Sequence, residues 1–74
     1  MKLKDYKIID GYMFSLTFED GTAKIIDLSS LIQSKVSKSE LYTAHIDKDW
    51  GCLEFKGGAI DIEPRTLYKF VQEK

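Results

Sequence analysis

Residues 12–18 alternate apolar and polar side chains, and an Asp-Gly pair follows shortly afterwards. A repeat of two residues is the pattern of a β-strand with one buried face. Asp20-Gly21 favours a two-residue type I′ turn, because both residues tolerate the positive φ angles that this turn requires. The pattern predicts a β-hairpin in which residues 22–27 form the returning strand. Its buried face is predicted to carry Tyr12, Phe14, Leu16 and Phe18.

The length of the turn sets the register of this hairpin. A two-residue loop places Phe18 opposite Ala23 and Leu16 opposite Ile25. The apolar residues of both strands then share one side of the sheet, so the register agrees with the hydrophobic pattern.

A second turn signal, Asp10-Gly11, precedes the same strand. A two-residue loop there pairs Ile8 with Met13 on the side opposite Phe14, so the sheet carries apolar groups on both sides. Either a β-bulge turns the first strand, or a partner or a second copy of the chain covers the second side. The candidates for partner binding on that side are Tyr6, Ile8, Met13 and Ile26.

The chain has no covalent or metal-based means of stabilising a small core. It contains one cysteine and one histidine in 74 residues, too few for an internal disulfide or a four-ligand zinc site. We expect a single domain spanning residues 1–74, without a cofactor. A domain of this size buries only about 60% of the surface that its unfolded chain exposes, which favours self-association.

Charge and hydropathy argue against two classes of partner. Eleven Lys and Arg residues against twelve Asp and Glu give a net charge of −1, so nucleic acid is an unlikely partner. The lysines near the amino end could line a strand that contacts nucleic acid, but edge strands also use lysine to discourage aggregation. The apolar runs are far shorter than the ~20 residues that span a membrane, and the pattern of a secretory signal is absent. We expect a cytoplasmic protein that does not contact a membrane.

The second half of the chain predicts short strands between two helices. Leu28, Leu31 and Ile32 have helical spacing, and Ser37 with Glu40 has the spacing of a capping box. Strands are predicted over residues 44–47, 52–56 and 60–62, followed by a helix that begins at Pro64. Pro suits the first position of a helix, because its missing N–H is not needed there.

These elements predict an α+β fold. We expect one mostly antiparallel sheet of about five or six strands, with two short helices on one side. Loop lengths in the second half place Ile46 opposite Leu53 and Phe55 opposite Ile60. A single interior is predicted to contain Phe14, Leu16, Phe18, Leu53, Phe55 and Ile60.

Two segments of the chain carry recognisable motifs. The first is Phe18-Glu19-Asp20-Gly21 followed by Ile26-Asp27-Leu28, and the second runs from Gly58 through Asp61-Ile62-Glu63-Pro64 to Leu67-Tyr68. Both resemble segments of a bacterial family of small domains of unknown function, numbered 2442. They are similar to the family's F-x-D-G hairpin, its V-D-L entry into a helix and its terminal G-x-D-I-x-P-x-x-L-Y. The family tends to carry Trp shortly before the final glycine, where this chain has Phe55.

The resemblance implies an α+β domain of antiparallel strands with one or two helices, and it implies no established activity. Members are often stand-alone proteins in bacterial and phage-like gene neighbourhoods, some beside small toxin-like proteins. Others precede a helix-turn-helix domain, which this chain lacks. A molybdopterin-related label on some relatives does not transfer, because this chain has no glycine-rich nucleotide loop.

His45, Glu54 and Asp61 are the strongest candidates for chemistry. The expected registers place them side by side across three strands, where an imidazole and two carboxylates can hold a divalent metal or perform acid-base catalysis. The alternative is a solvated outer face with a weak cross-strand contact. Cys52 as a nucleophile lacks a third group to orient His45 as its base.

The remaining motif residues have structural explanations. Asp20 and Gly21 fit the hairpin turn, and Asp27 and Asp61 are expected to accept hydrogen bonds from free backbone N–H groups beside helices. Trp50 lies in a hairpin loop. It either folds back over the sheet or contributes to a binding surface, where Trp is enriched.

We therefore expect a small non-catalytic protein-interaction module. It would act as a homodimer or as the partner of a toxin-like or regulatory protein. The alternative is a small-ligand or metal-binding domain, or a vestigial enzyme, centred on His45, Glu54 and Asp61.

Overall fold

The structure, a computed structural model, describes residues 1–73 and contains two three-stranded antiparallel sheets. The strands are β1 (Leu3–Asp10), β2 (Met13–Phe18), β3 (Ala23–Asp27), β4 (His45–Asp47), β5 (Cys52–Phe55) and β6 (Ile60–Ile62). The first sheet has the order β1-β2-β3 and the second the order β4-β5-β6. The helices are α1 (Ser29–Ile32) and α2 (Pro64–Gln72), with short 3₁₀ helices over Lys38–Thr43 and Lys56–Gly58.

The six strands do not form the single sheet that the sequence predicted. The chain divides them between two sheets because α1 and the first 3₁₀ helix separate β3 from β4. Hydrogen bonds nevertheless connect the sheets. The Leu3 N–H donates to the Gly51 carbonyl at 3.1 Å, and the Tyr6 hydroxyl donates to the Ala44 carbonyl at 2.7 Å. The α+β class is confirmed.

The β2–β3 hairpin is present, but its register differs from the prediction by one residue. Thr17 pairs with Ala23 and Phe14 pairs with Ile26. The loop has three residues rather than two. The Gly21 N–H donates to the Phe18 carbonyl at 3.0 Å, and Gly21 alone takes a positive φ, +90°, so the turn is not type I′.

This register exchanges the positions of two neighbouring isoleucines. Ile26 is 6% exposed beside Phe14, whereas Ile25 pairs with Ser15 and is 63% exposed. A shift of one residue moves each side chain to the other face of a strand. Ile25 therefore lies on the outer side of the first sheet, where the prediction had placed Ile26.

The β1–β2 pairing also differs from the prediction. Ile8 pairs with Phe14 rather than Met13, and the register shifts between Ile8 and Asp10 and again near Leu3. The irregularity at Ile8 agrees with the β-bulge alternative. Tyr6 packs against the core, its ring 6.2 Å from that of Phe14.

The registers of the second sheet agree with the prediction. Ile46 pairs with Leu53, and Phe55 pairs with Ile60. The Leu53–Ile62 pair extends the same row across all three strands. This row faces the interior.

The helical segments begin where the sequence signals predicted. The Asp27 carboxylate accepts the Ser29 N–H at 2.8 Å, at the start of α1. Ser37 and Glu40 form the capping box, in which the Glu40 carboxylate accepts the Ser37 N–H at 3.0 Å. Pro64 occupies the first turn of α2.

One apolar cluster receives side chains from both sheets and both helices. Of the six residues predicted to share an interior, all but Ile60 are fully buried, and Ile60 is partly buried against them. The rings of Phe14 and Phe55 meet edge to face with centroids 6.3 Å apart, so this contact joins the two sheets. α2 is held by its Tyr68, which packs edge to face on Phe18 at 4.9 Å and donates to the Asp20 carboxylate at 2.8 Å.

Shortening each of two adjacent isoleucines by one methylene group tests the hairpin register. Ile26→Val removes buried volume and is expected to lower the free energy of unfolding by about 0.5–1.5 kcal/mol. Ile25→Val, on the outer side, is expected to change it by less than about 0.5 kcal/mol. Urea denaturation at low protein concentration measures both. A larger loss for Ile25→Val would support the two-residue turn and contradict the structure.

Candidate functional site

The outer face of the second sheet brings together the predicted chemical residues. His45 pairs with Glu54, and Glu54 pairs with Asp61, so the three lie side by side across β4, β5 and β6. The His45 Nε2 lies 2.7 Å from the Glu54 Oε1. The position of these three residues side by side agrees with the prediction, because the loop lengths predicted for this sheet are correct.

The contact between His45 and Glu54 is a cross-strand pair at the surface. The His45 side chain is about half exposed, and the Glu54 side chain is mostly covered. When His45 is protonated, the pair is a salt bridge of the partly exposed kind that contributes about 0–1 kcal/mol. Among residues 1–73, the side-chain contact recorded for His45 is the one with Glu54, and a catalytic relay requires a further group that orients the imidazole.

Asp61 approaches Cys52 instead of completing a site with the histidine. The Asp61 carboxylate is close enough to the Cys52 thiol to raise the pKa of that thiol, and the residue directly before α2 is Glu63 rather than Asp61. The expected helix-capping role of Asp61 is therefore wrong. Within residues 1–73, no group of three or more His, Cys, Asp or Glu side chains is placed to hold one metal ion.

Cys52 is kept in its thiol form. Burial, followed by the hydrogen bond with Asp61 and the negative charges of Asp61, Asp47 and Glu54, raises the pKa of Cys52 to about 11. Each of these effects disfavours the thiolate. Because the thiolate is the nucleophile, this environment is unsuited to covalent catalysis at neutral pH.

A shallow hollow of about 600 Å³ lies beside Cys52, next to the 71% exposed Trp50. Gly51 fixes this loop against β1. It has a φ of +74°, and a Cβ there would collide with Lys2, so no other residue fits without rearrangement. Trp50 does not fold back over the sheet. The hollow is lined by Met1, Asp47, Trp50, Cys52, Asp61, Glu63, Pro64 and Arg65.

The outer face of the first sheet carries a second exposed apolar area. We call it the outer strip, and it consists of Ile9, Met13 and Ile25, all exposed. Lys7, Ser15 and Ile25 form one cross-strand row on this side. A shallow depression of about 420 Å³ adjoins the strip between β3 and the start of α1.

The predicted second apolar side therefore exists with a different membership. Met13 belongs to it, whereas Tyr6 and Ile26 pack into the core. Ile8 is exposed, but it pairs with Phe14. Sequence reasoning missed Ile9 and Ile25. A three-residue loop with glycine at its last position is a common hairpin type. The register that this loop sets places Ile25 on the outer side of the sheet.

Comparison with known proteins identifies the family. The family model described as "Protein of unknown function (DUF2442)" matches residues 4–73, nearly the whole chain. The protein belongs to this family, as the Asp-Gly hairpin and the segment around Pro64 predicted. No curated protein matches the chain, and no solved structure matches it. Within the described residues, no helix is long and apolar enough to cross a membrane.

The pH dependence of Cys52 alkylation tests the electrostatics of this face. With a pKa of about 11 instead of 9.0, the thiolate fraction at pH 8 is about 100-fold below that of an ordinary thiol. The alkylation rate in the folded protein is expected to reach half its maximum near pH 11, and Asp61→Asn is expected to lower that pH. The urea-unfolded chain is the control.

The same pKa predicts how stability depends on pH. Because the pKa of Cys52 is higher in the folded than in the unfolded protein, its contribution to the free energy of unfolding is fully present below about pH 9. This contribution is lost as the pH rises towards 11.

In the alkylation experiment, a rate that reaches half its maximum near pH 9 in the folded protein would show that burial and Asp61 do not perturb the thiol.

Proposed function

We propose that this domain is a non-catalytic, cytoplasmic protein-interaction module, acting as a homodimer or as the partner of a toxin-like or regulatory protein. The observation that carries the proposal is the outer strip. Ile25, in the middle of β3, is 63% exposed. Exposing contiguous apolar side chains to water is unfavourable, and surfaces of this kind are typical of binding sites.

The interior supports an interaction role over a pocket. Phe14, Phe18 and Phe55 are fully buried in the shared cluster, so the space between the sheets is filled by side chains. The hollow beside Trp50 and the depression at β3 are both shallow and open to solvent. Enzymes generally enclose their substrates in concave sites that exclude water.

The toxin-like partner is proposed from the family resemblance alone. The resemblance implies bacterial and phage-like gene neighbourhoods, in which some members lie beside small toxin-like proteins. An apolar strip that remains exposed on one sheet is compatible with such a partner, because the partner would remove these side chains from water.

A second candidate function is binding of a metal or a small ligand at His45, Glu54 and Asp61. The adjacency of the three residues across β4, β5 and β6 favours it. The geometry weakens it for a metal, because no three His, Cys, Asp or Glu side chains within residues 1–73 are placed to hold one ion. A ligand that binds the folded state raises the melting temperature.

Affinity capture with surface variants tests the interaction role. The wild-type protein, Ile25→Lys and Tyr42→Lys are each immobilised and exposed to an extract of cells that produce the protein. Tyr42 is 83% exposed and lies outside both sheets, which makes it a matched control. We expect Ile25→Lys to reduce the amount of bound protein at least tenfold, because a buried charge at an interface is costly, and Tyr42→Lys to leave it unchanged.

Two results would contradict the proposal. The first is capture that is equally strong for all three proteins, because binding would then not depend on the outer strip. The second is a rise in melting temperature with zinc that His45→Ala abolishes, which would favour the second candidate function.

A further inference from the structure

We propose that β3 forms the seam of a homodimer, in which it pairs antiparallel with β3 of a second copy and Ile25 lies on the two-fold axis. The inference rests on the proposed interaction role and names the partner as a second copy of this chain.

The edge of β3 has backbone groups available for pairing. β3 is the last strand of the first sheet. The Phe18 N–H donates to the Thr22 carbonyl at 2.8 Å, so Phe18 and Thr22 form a hydrogen-bonded pair of β2 and β3. Hydrogen-bonded pairs recur at every second residue in antiparallel strands. Lys24 and Ile26 therefore bond to β2, whereas the N–H and C=O groups of Ile25 point away from it.

The other strand edges of the described residues lie beside neighbouring segments, and the edge strands β1 and β4 contact each other. At one edge, β1 is next to the Gly51 loop, since the Leu3 N–H donates to the Gly51 carbonyl. β6 faces α1 across a narrow hollow of about 160 Å³ whose lining includes Leu31 and Ile62. Open strand edges favour pairing with another strand, so β3 is the edge best suited to it.

The two-fold symmetry of a dimer selects one register. Residues whose backbone groups point outward must face one another across the seam. The two-fold axis therefore passes through a residue rather than between two residues, and the central candidates are Lys24, Ile25 and Ile26. Ile25 is the middle residue of the five-residue strand, and a centre there pairs all of Ala23–Asp27. A centre at Lys24 or at Ile26 leaves two residues of the strand unpaired. A centre at Lys24 also sets two ammonium groups opposite each other, which is unfavourable.

The side chain at this centre also favours association. Two Ile25 residues in a hydrogen-bonded pair have Cα atoms about 5.5 Å apart, so each covers apolar surface of the other. Ile25 is the most exposed of the three residues in the outer strip. A net charge of −1 per copy gives little mutual repulsion. The seam therefore buries apolar surface and satisfies backbone groups in one contact.

Disulfide cross-linking tests the register. Ile25→Cys in a Cys52→Ser background is expected to form a disulfide-linked dimer under mild oxidation, because a Cα separation of about 5.5 Å suits a disulfide. Ile9→Cys in the same background is the matched control. It is exposed on β1 of the same sheet, away from β3, and is expected to remain a monomer on a non-reducing gel.

Sedimentation equilibrium tests the association without oxidation. The wild-type protein is expected to shift reversibly from 8.5 kDa to twice that mass as its concentration rises. Ile25→Lys is expected to stay at the monomer mass and Tyr42→Lys to dimerise as the wild type does. Circular dichroism confirms that each variant is folded.

Two results would overturn the homodimer seam. One is a wild-type protein that remains monomeric at millimolar concentration, and the other is a dimer that persists unchanged in Ile25→Lys. The interaction role still stands in both cases if affinity capture of a different protein depends on Ile25. If capture is also independent of Ile25, both proposals fail.

Discussion

The fold depends on two small sheets sharing one apolar interior. Each sheet buries its apolar face against the other, and the edge-to-face contact of Phe14 with Phe55 lies at their junction. A single layer leaves its apolar face in contact with water until a second layer covers it. α2 closes the interior through Leu67 and Val71, which are buried in the same cluster. The interior is therefore occupied by side chains, so the proposed interaction involves the surface of the domain.

The outer faces of the two sheets differ in chemistry. Alternate residues of each strand face outward, and these residues are polar in the second sheet and apolar in part of the first. The outer face of the second sheet carries His45, Glu54 and Asp61. Burial, together with the nearby carboxylates, raises the pKa of Cys52 on this face. The outer face of the first sheet carries the outer strip instead. A polar, solvated face needs no partner, whereas an apolar one is stabilised when it is covered. This difference is the reason that the proposed interaction is placed on the first sheet.

Most of the second sheet could be predicted from the sequence, but the first hairpin could not be placed fully. In the second sheet, apolar residues on all three strands agree with only one register, so Ile46, Leu53 and Ile62 were correctly aligned. In the first hairpin, Ile25 and Ile26 are consecutive, and either can satisfy the apolar pattern. The loop length decides between them, and Asp-Gly occurs in loops of two and three residues. Division into two sheets depends on long-range packing that local periodicity does not encode.

Amide hydrogen exchange of neighbouring residues in β3 most directly tests whether the first sheet has an open edge that a second copy covers. The account predicts that the Lys24 amide is protected at every protein concentration, because it bonds within the sheet. The Ile25 amide is predicted to exchange rapidly in dilute protein and to become protected as the concentration rises. Strong protection of Ile25 in dilute protein, or rapid exchange at all concentrations, would contradict the account.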